Sequence, residues 1–222
     1  MYGSCELIFG SMYCGKSEEL MRRLKRVQLG NREYALFKPS IDDRYGKHLV
    51  ATHASNQTSK AIESILQNHV IEITKQQIME DINQNLEGSM PAIIVDDPKE
   101  ILTHVQDKNV DVVGIDELQF FDKDIIPVIK ELIKKGKRII CAGLDMYADG
   151  EPFGEVIPYV ACISKHVDKL HAVCNLCGDN SVYSYKTSDQ ESNKTGKIDV
   201  GSNGKYIAVC EKCRGKLDGG NI

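Results

Sequence analysis

No stretch of this sequence approaches the ~18 consecutive apolar residues of a membrane-spanning helix. No basic region followed by an apolar run opens it either; the first residues are Met1-Tyr2-Gly3-Ser4-Cys5-Glu6. A secretory leader and a membrane anchor are therefore not expected. Positive charge is also in short supply. The formal net charge is −4 and the sequence pI is near 5.9, which gives no general attraction for DNA, RNA or an anionic membrane surface. The expectation is a soluble, cytoplasmic protein whose partners are neither membranes nor nucleic acids. Internal repeats and low-complexity tracts are absent as well. With 222 residues, 41% of them apolar, the chain can bury one full core and leave a minor share for a small appended unit.

The eight cysteines carry no mark of secretion with them, so paired cysteines read as metal ligands before disulfides. Cys5, Cys14, Cys141 and Cys162 are scattered singly in apolar or loop surroundings, where small buried thiols are common. Cys174-Asn175-Leu176-Cys177 and Cys210-Glu211-Lys212-Cys213 are different. Each is a C-x-x-C knuckle able to wrap two thiolates onto one tetrahedral ion. Four cysteines leave no open coordination position, so the expected zinc is structural. The interval 178–209 exceeds the ~15–20 residues usual between zinc-ribbon knuckles, which implies a loop, Thr187 to Gly204, projecting from a metal-pinned base. Redox cysteines are the alternative reading.

Upstream, strand-like runs alternate with helical periodicity. Cys5–Phe9, Tyr34–Lys38, Ala92–Val95, Val110–Ile115 and Arg138–Ala142 read as strands; Lys16–Leu29, Pro98–Val105 and Ile125–Lys135 read as helices. This alternation predicts an α/β fold, a mainly parallel sheet with flanking helices followed by a small zinc-ribbon-like domain, and the glycine-bounded loop Gly10–Ser17 after the first strand makes it one of the P-loop NTPase type. The boundary is placed near 172, giving domains 1–172 and 173–222. The Asn/Gln-rich stretch Ser55–Met90 shows only weak helical periodicity, and Asn83–Ser89 reads as a surface loop.

Gly10-Ser11-Met12-Tyr13-Cys14-Gly15-Lys16-Ser17 satisfies G-x-x-x-x-G-K-[ST] directly after a strand and directly before a helix. Such a loop curls backbone N–H groups around a polyphosphate, with Lys16 reaching the β and γ phosphates and Ser17 on Mg²⁺. Val110 to Glu117 is an apolar strand ending in two carboxylates, the form of the acidic strand that faces such a loop. Asp116 is the candidate for orienting Mg²⁺, through water. Its neighbour Glu117 points to the other side and is the candidate general base for a weakly nucleophilic alcohol. The ATP-contacting set is then Gly10 to Ser17 with Asp116 and Gln119. Of the aromatics that follow, Phe121 is assigned to the core, while Phe120 is open between core and ligand contact.

The P-loop, the run Asp116-Glu117-Leu118-Gln119-Phe120-Phe121 and the two knuckles together resemble the thymidine kinases of the type II class found in bacteria and animal cytosol. Asp42-Asp43-Arg44-Tyr45, Gly143-Leu144-Asp145, Pro152-Phe153-Gly154 and Gly201 to Cys210 extend the resemblance over nearly the whole chain. It implies nucleotide salvage for DNA synthesis: transfer of the γ-phosphate of ATP to the 5′-hydroxyl of thymidine or deoxyuridine, with Glu117 as base. It places Met12, Phe120, Leu144, Phe153, Ser184, Val200 and Tyr206 near the thymine pocket, Asp42 on a Mg²⁺-bound water and Arg44 on developing phosphate charge. A homotetramer and feedback inhibition by thymidine triphosphate are likewise implied by resemblance alone. The chain departs from the family at Leu118, where a small residue is common, and in the Asn/Gln-rich middle. The rival readings are a P-loop ATPase with a nucleic-acid-contacting zinc module and a non-catalytic nucleotide sensor.

Overall fold

The computed structural model describes residues 2–41, 49–51, 89–187 and 205–219. Strands β1 (Ser4–Gly10), β2 (Tyr34–Pro39), β5 (Ile93–Val95), β6 (Val112–Ile115), β7 (Arg138–Leu144) and β8 (His166–Leu170) form one sheet in the order β5-β2-β6-β7-β1-β8. Every pairing in it is parallel. Helices cover both faces, so each central strand is apolar on both sides and the sequence shows runs instead of alternation.

Side-chain alternation along a strand sends neighbours to opposite layers. Leu7, Val113 and Ile139 join a cluster with α2 (Lys99–Asp107), α3 (Ile125–Lys134) and α4 (Val156–Ile163). Ile8, Val112 and Ile140 join a second cluster with Leu20, Met21, Leu24 and Val27 of α1 (Lys16–Leu29). Those four α1 positions repeat at helical spacing, so one stripe of α1 is apolar and the opposite one carries its charges. The sheet needs α1 very near: a Cβ on Gly114 would lie 2.8 Å from Leu24 Cδ1.

The expected mainly parallel sheet with flanking helices is thus the architecture found. Differences are local. Val110 is buried but precedes the strand, which starts at Val112. Ser89, read as the end of a loop, opens β4 (Ser89–Pro91), paired antiparallel with β3 (Leu49–Ala51). Neither β8 nor α4 was anticipated. β8 is an edge strand of sequence His-Val-Asp-Lys-Leu, whose charges suit an exposed edge but hide its strand character.

Beyond β8 come two small antiparallel ladders, β9 (Ala172–Val173) with β10 (Asn180–Ser181) and β11 (Tyr183–Lys186) with β12 (Tyr206–Val209), then α5 (Glu211–Leu217). Thr187 N donates to Lys205 O at 2.9 Å, one position beyond the β11–β12 ladder.

Candidate active site

All the nucleotide-site residues sit at the carboxyl ends of parallel strands. The P-loop leaves β1 and enters α1 through Gly15, whose φ of 82° is left-handed and suits glycine. Tyr13 is also left-handed, at φ 65°, so the loop curls tightly. Lys16 Nζ folds back over it, donating to Ser11 O at 2.6 Å and lying 3.7 Å from Cys14 Sγ. Ser11 Oγ is buried with no hydrogen-bond partner among the described residues, which fits a loop shaped for phosphate oxygens. Burial raises the Cys14 thiol above its ordinary pKa; Lys16 opposes this and the Asp145 carboxylate adds to it. Cys14 therefore stays a neutral thiol.

Strand β6 lies two places from β1, with β7 between them, roughly 9–10 Å away at ordinary strand spacing. Side chains bridge that gap. Ser17 Oγ donates to Asp116 Oδ1 at 3.2 Å, the juxtaposition required of a hydroxyl and a carboxylate that share a Mg²⁺ shell. Alternation in β6 turns Asp116 towards α1 and leaves the next residue free to diverge. Glu117 does so with φ 51° and ψ 42°, a left-handed backbone that costs a non-glycine residue ~1–3 kcal/mol. Gln119 Nε2 donates to Glu117 Oε2. The same amide's Oε1 accepts from Leu144 N at 2.9 Å. Asp116, Glu117 and Gln119 are all buried.

The residues expected around a nucleoside fall into linked groups. Phe120 meets Phe153 edge to face at 5.9 Å, and Tyr147 stacks on Phe153 at 4.0 Å. The loop carrying Phe153 is closed by Phe153 N donating to Asp145 O at 2.8 Å. Ser184 Oγ accepts from Met12 N at 2.9 Å, and Tyr13 OH donates to Tyr206 O at 3.2 Å. The β11–β12 ladder is therefore tied directly to the P-loop. Phe121 is in the core, as expected, and Leu118 is fully buried beside it. The larger side chain after the two carboxylates therefore fills core space.

Cys174, Cys177, Cys210 and Cys213 converge, their four Sγ atoms all within 4.8 Å of one another, with Cys177 and Cys210 at 3.6 Å. Four thiolates at the ~2.3 Å Zn–S distance of a tetrahedron stand ~3.8 Å apart, so the donor set and its size fit zinc. Burial opposes ionisation of Cys174, but backbone N–H groups of Cys210, Leu176 and Cys177 bring its thiol down to about 6, the inward-pointing amides of a metal knuckle.

With P-loop, acidic strand and cysteine cluster assembled on one frame, the comparison with known families is decisive. The family described as thymidine kinase matches this chain over residues 3–98 and 75–214. The chain belongs to the thymidine kinase family. Membership implies a kinase, a phosphate-transferring enzyme acting on a nucleoside and ATP. The two matched stretches overlap over 75–98, an interval that takes in the end of the Asn/Gln-rich stretch already noted as a departure.

Of the residues assigned from sequence, Asp42, Arg44 and Val200 lie outside the described residues. The others are brought together as above. The sequence reading missed Lys38, fully buried at the end of β2. Register places it beside Asp116, because the preceding pair is Phe37 with Ile115. A lysine inside the apolar run Tyr-Ala-Leu-Phe-Lys-Pro was the available signal. It also missed Tyr147, and it named Asp145, whose carboxylate lies 3.2 Å from Lys169 Nζ across β1, only as part of a family match; loop residues without periodicity give no such signal. A charged cleft of about 640 Å³, lined among others by Glu6, Glu19, Arg23, Arg138 and Asp168, opens at the opposite end of the sheet and takes no part in this site.

Proposed function

We propose that this kinase transfers the γ-phosphate of ATP to the 5′-hydroxyl of thymidine or deoxyuridine, as an ATP:thymidine 5′-phosphotransferase of nucleotide salvage. The observation that carries the reading is the convergence of Ser17 with Asp116 beside Glu117 at the mouth of the P-loop. In this reading Gly10 to Ser17 cradle the triphosphate and Lys16 swings from Ser11 O to the β and γ phosphates. Ser17 and Asp116 would hold Mg²⁺, with Asp42 assisting, which would supply neutralisation of charge on the phosphates. Arg44 adds to that neutralisation. Glu117 accepts the proton of the 5′-hydroxyl as its oxygen attacks phosphorus.

Met12, Leu144, Phe120 and Phe153 supply apolar and aromatic surface for a pyrimidine, and Ser184 and Tyr206 of the zinc-pinned unit, with Val200, are the further nucleoside-binding residues. Residues 1–172 form the catalytic domain and 173–222 the zinc-binding domain. Zinc here is structural, since it has no open position and the transfer needs no second Lewis acid. No described helix is long and apolar enough to cross a membrane. A cytoplasmic homotetramer inhibited by thymidine triphosphate completes the proposal.

The test is transfer of label from γ-labelled ATP with Mg²⁺ to a panel of the four deoxynucleosides, a ribonucleoside and water. Label on thymidine and deoxyuridine is the expected result. Label released only to water, or released on addition of DNA, would replace this reading with that of a P-loop ATPase.

A further inference from the structure

The two ends of one buried amide join the base to the wall of the nucleoside pocket. Gln119 is only 6% exposed. Its Nε2 meets Glu117 Oε2 and its Oε1 meets Leu144 N at 2.9 Å. Chemistry fixes this orientation: a carboxylate only accepts and a backbone N–H only donates, so the flipped amide would lose both bonds. Space for it is reserved, because a Cβ on Gly143 would lie 2.8 Å from Gln119 Oε1 and 2.7 Å from Ile157 Cδ1. Glu117 needs such a restraint. Its left-handed backbone persists only where surrounding structure over-determines it, and a carboxylate on a strand end has several rotamers open to it.

We infer that Gln119 is a positioning residue, an amide strap that fixes the Glu117 carboxylate relative to β7 and so relative to Leu144. Resting on the reading of Glu117 as general base, this departs from the role of ATP contact given to Gln119 by its sequence position, since both ends of the amide are engaged within the protein. Base and pocket wall are then one rigid unit. Proton acceptance depends on the strap, whereas ATP affinity does not.

The experiment compares steady-state kinetics of wild type, Gln119→Met, Glu117→Gln and the double variant, with thermal unfolding of each. The expected result is a kcat about 100-fold lower in Gln119→Met, the size of loss that follows a small misplacement of a catalytic group. KM for ATP stays within about twofold, because uniform substrate binding is not touched. The double variant is no slower than Glu117→Gln alone, since a strap has nothing to hold once the base is gone. Unchanged kcat in Gln119→Met, a raised KM for ATP with kcat intact, or losses that multiply in the double variant would each overturn the inference. Should Gln119→Met not fold, Gln119→Glu replaces it: it keeps an acceptor for Leu144 N and loses the donor to Glu117, so a normal kcat there overturns the strap equally. Near-normal turnover of Glu117→Gln alone would instead overturn the base reading, and the single variant shows which has failed.

Discussion

In the proposed reaction, Asp116 is the residue on which the metal side of the site turns. It accepts from Ser17 Oγ at 3.2 Å and is 4% exposed. Replacement by Asn keeps its shape and removes its charge. Asp116→Asn should raise the Mg²⁺ concentration for half-maximal rate about 10–100-fold, the range for groups that orient a bound metal. Titration of Mg²⁺ at saturating ATP measures it, and an unchanged requirement would remove Asp116 from the metal site. Lys38 makes a second residue-scale case. It is buried next to Asp116 by register, where a lysine is rarely tolerated without opposite charge. Lys38→Met should therefore lower kcat/KM for ATP while Lys38→Arg retains part of it; equal behaviour of the two would leave Lys38 a packing residue.

At the scale of elements, α1 is held by its apolar stripe. Leu24 is fully buried between β6 and the helix, and Leu24→Ala should lower stability by about 3 kcal/mol through lost burial and the cavity left behind; denaturant unfolding reads it directly. The β11–β12 ladder is held differently, by the cysteine cluster. Chelation, or Cys210→Ser, should raise KM for the nucleoside first, because the ladder carries Ser184 and Tyr206. ATP affinity should fall by a smaller factor, because the same ladder bonds Met12 and Tyr13 in the P-loop. Loss of both together with the unfolding transition would mark the metal as a requirement of the whole fold.

These elements were unequally visible in the amino-acid order. The P-loop, the strand ending in Asp116-Glu117 and the knuckles were legible because each combines fixed residue types with a strand or helix boundary. Helix α1 was legible from its periodicity. Helix α4, Val-Ile-Pro-Tyr-Val-Ala-Cys-Ile, was not: it is apolar almost throughout and has a proline in its first turn, where helices accept one. Contacts between distant segments were the least visible. Met12 with Ser184 and Gln119 with Leu144 arise from chain topology, and no local pattern encodes them.

For the molecule as a whole, charge pairing at the far end of the sheet contributes to its acid tolerance. Arg23 holds three carboxylates, Glu6 at 2.8 Å, Glu19 at 2.8 Å and Asp168 at 2.6 Å. Arg22 above all, against burial and with Arg23 assisting, draws the Glu19 carboxyl from 4.5 down to about 2. A carboxyl depressed on folding stabilises fully above its unfolded pKa and loses that contribution as pH falls through the folded one. Stability should therefore decline between about pH 4.5 and 2, and Glu19→Gln should flatten part of that decline in thermal melts; an identical slope would contradict the assignment.

Transfer as proposed depends above all on Glu117 accepting a proton from the acceptor hydroxyl while the P-loop holds ATP. The measurement that bears on it most directly is single-turnover transfer from γ-labelled ATP to thymidine in wild type and Glu117→Gln, alongside direct binding of an ATP analogue to each. Equal nucleotide binding and a transfer step slower in the variant by about 10²–10⁴-fold are expected. Transfer at the wild-type rate in Glu117→Gln would contradict it.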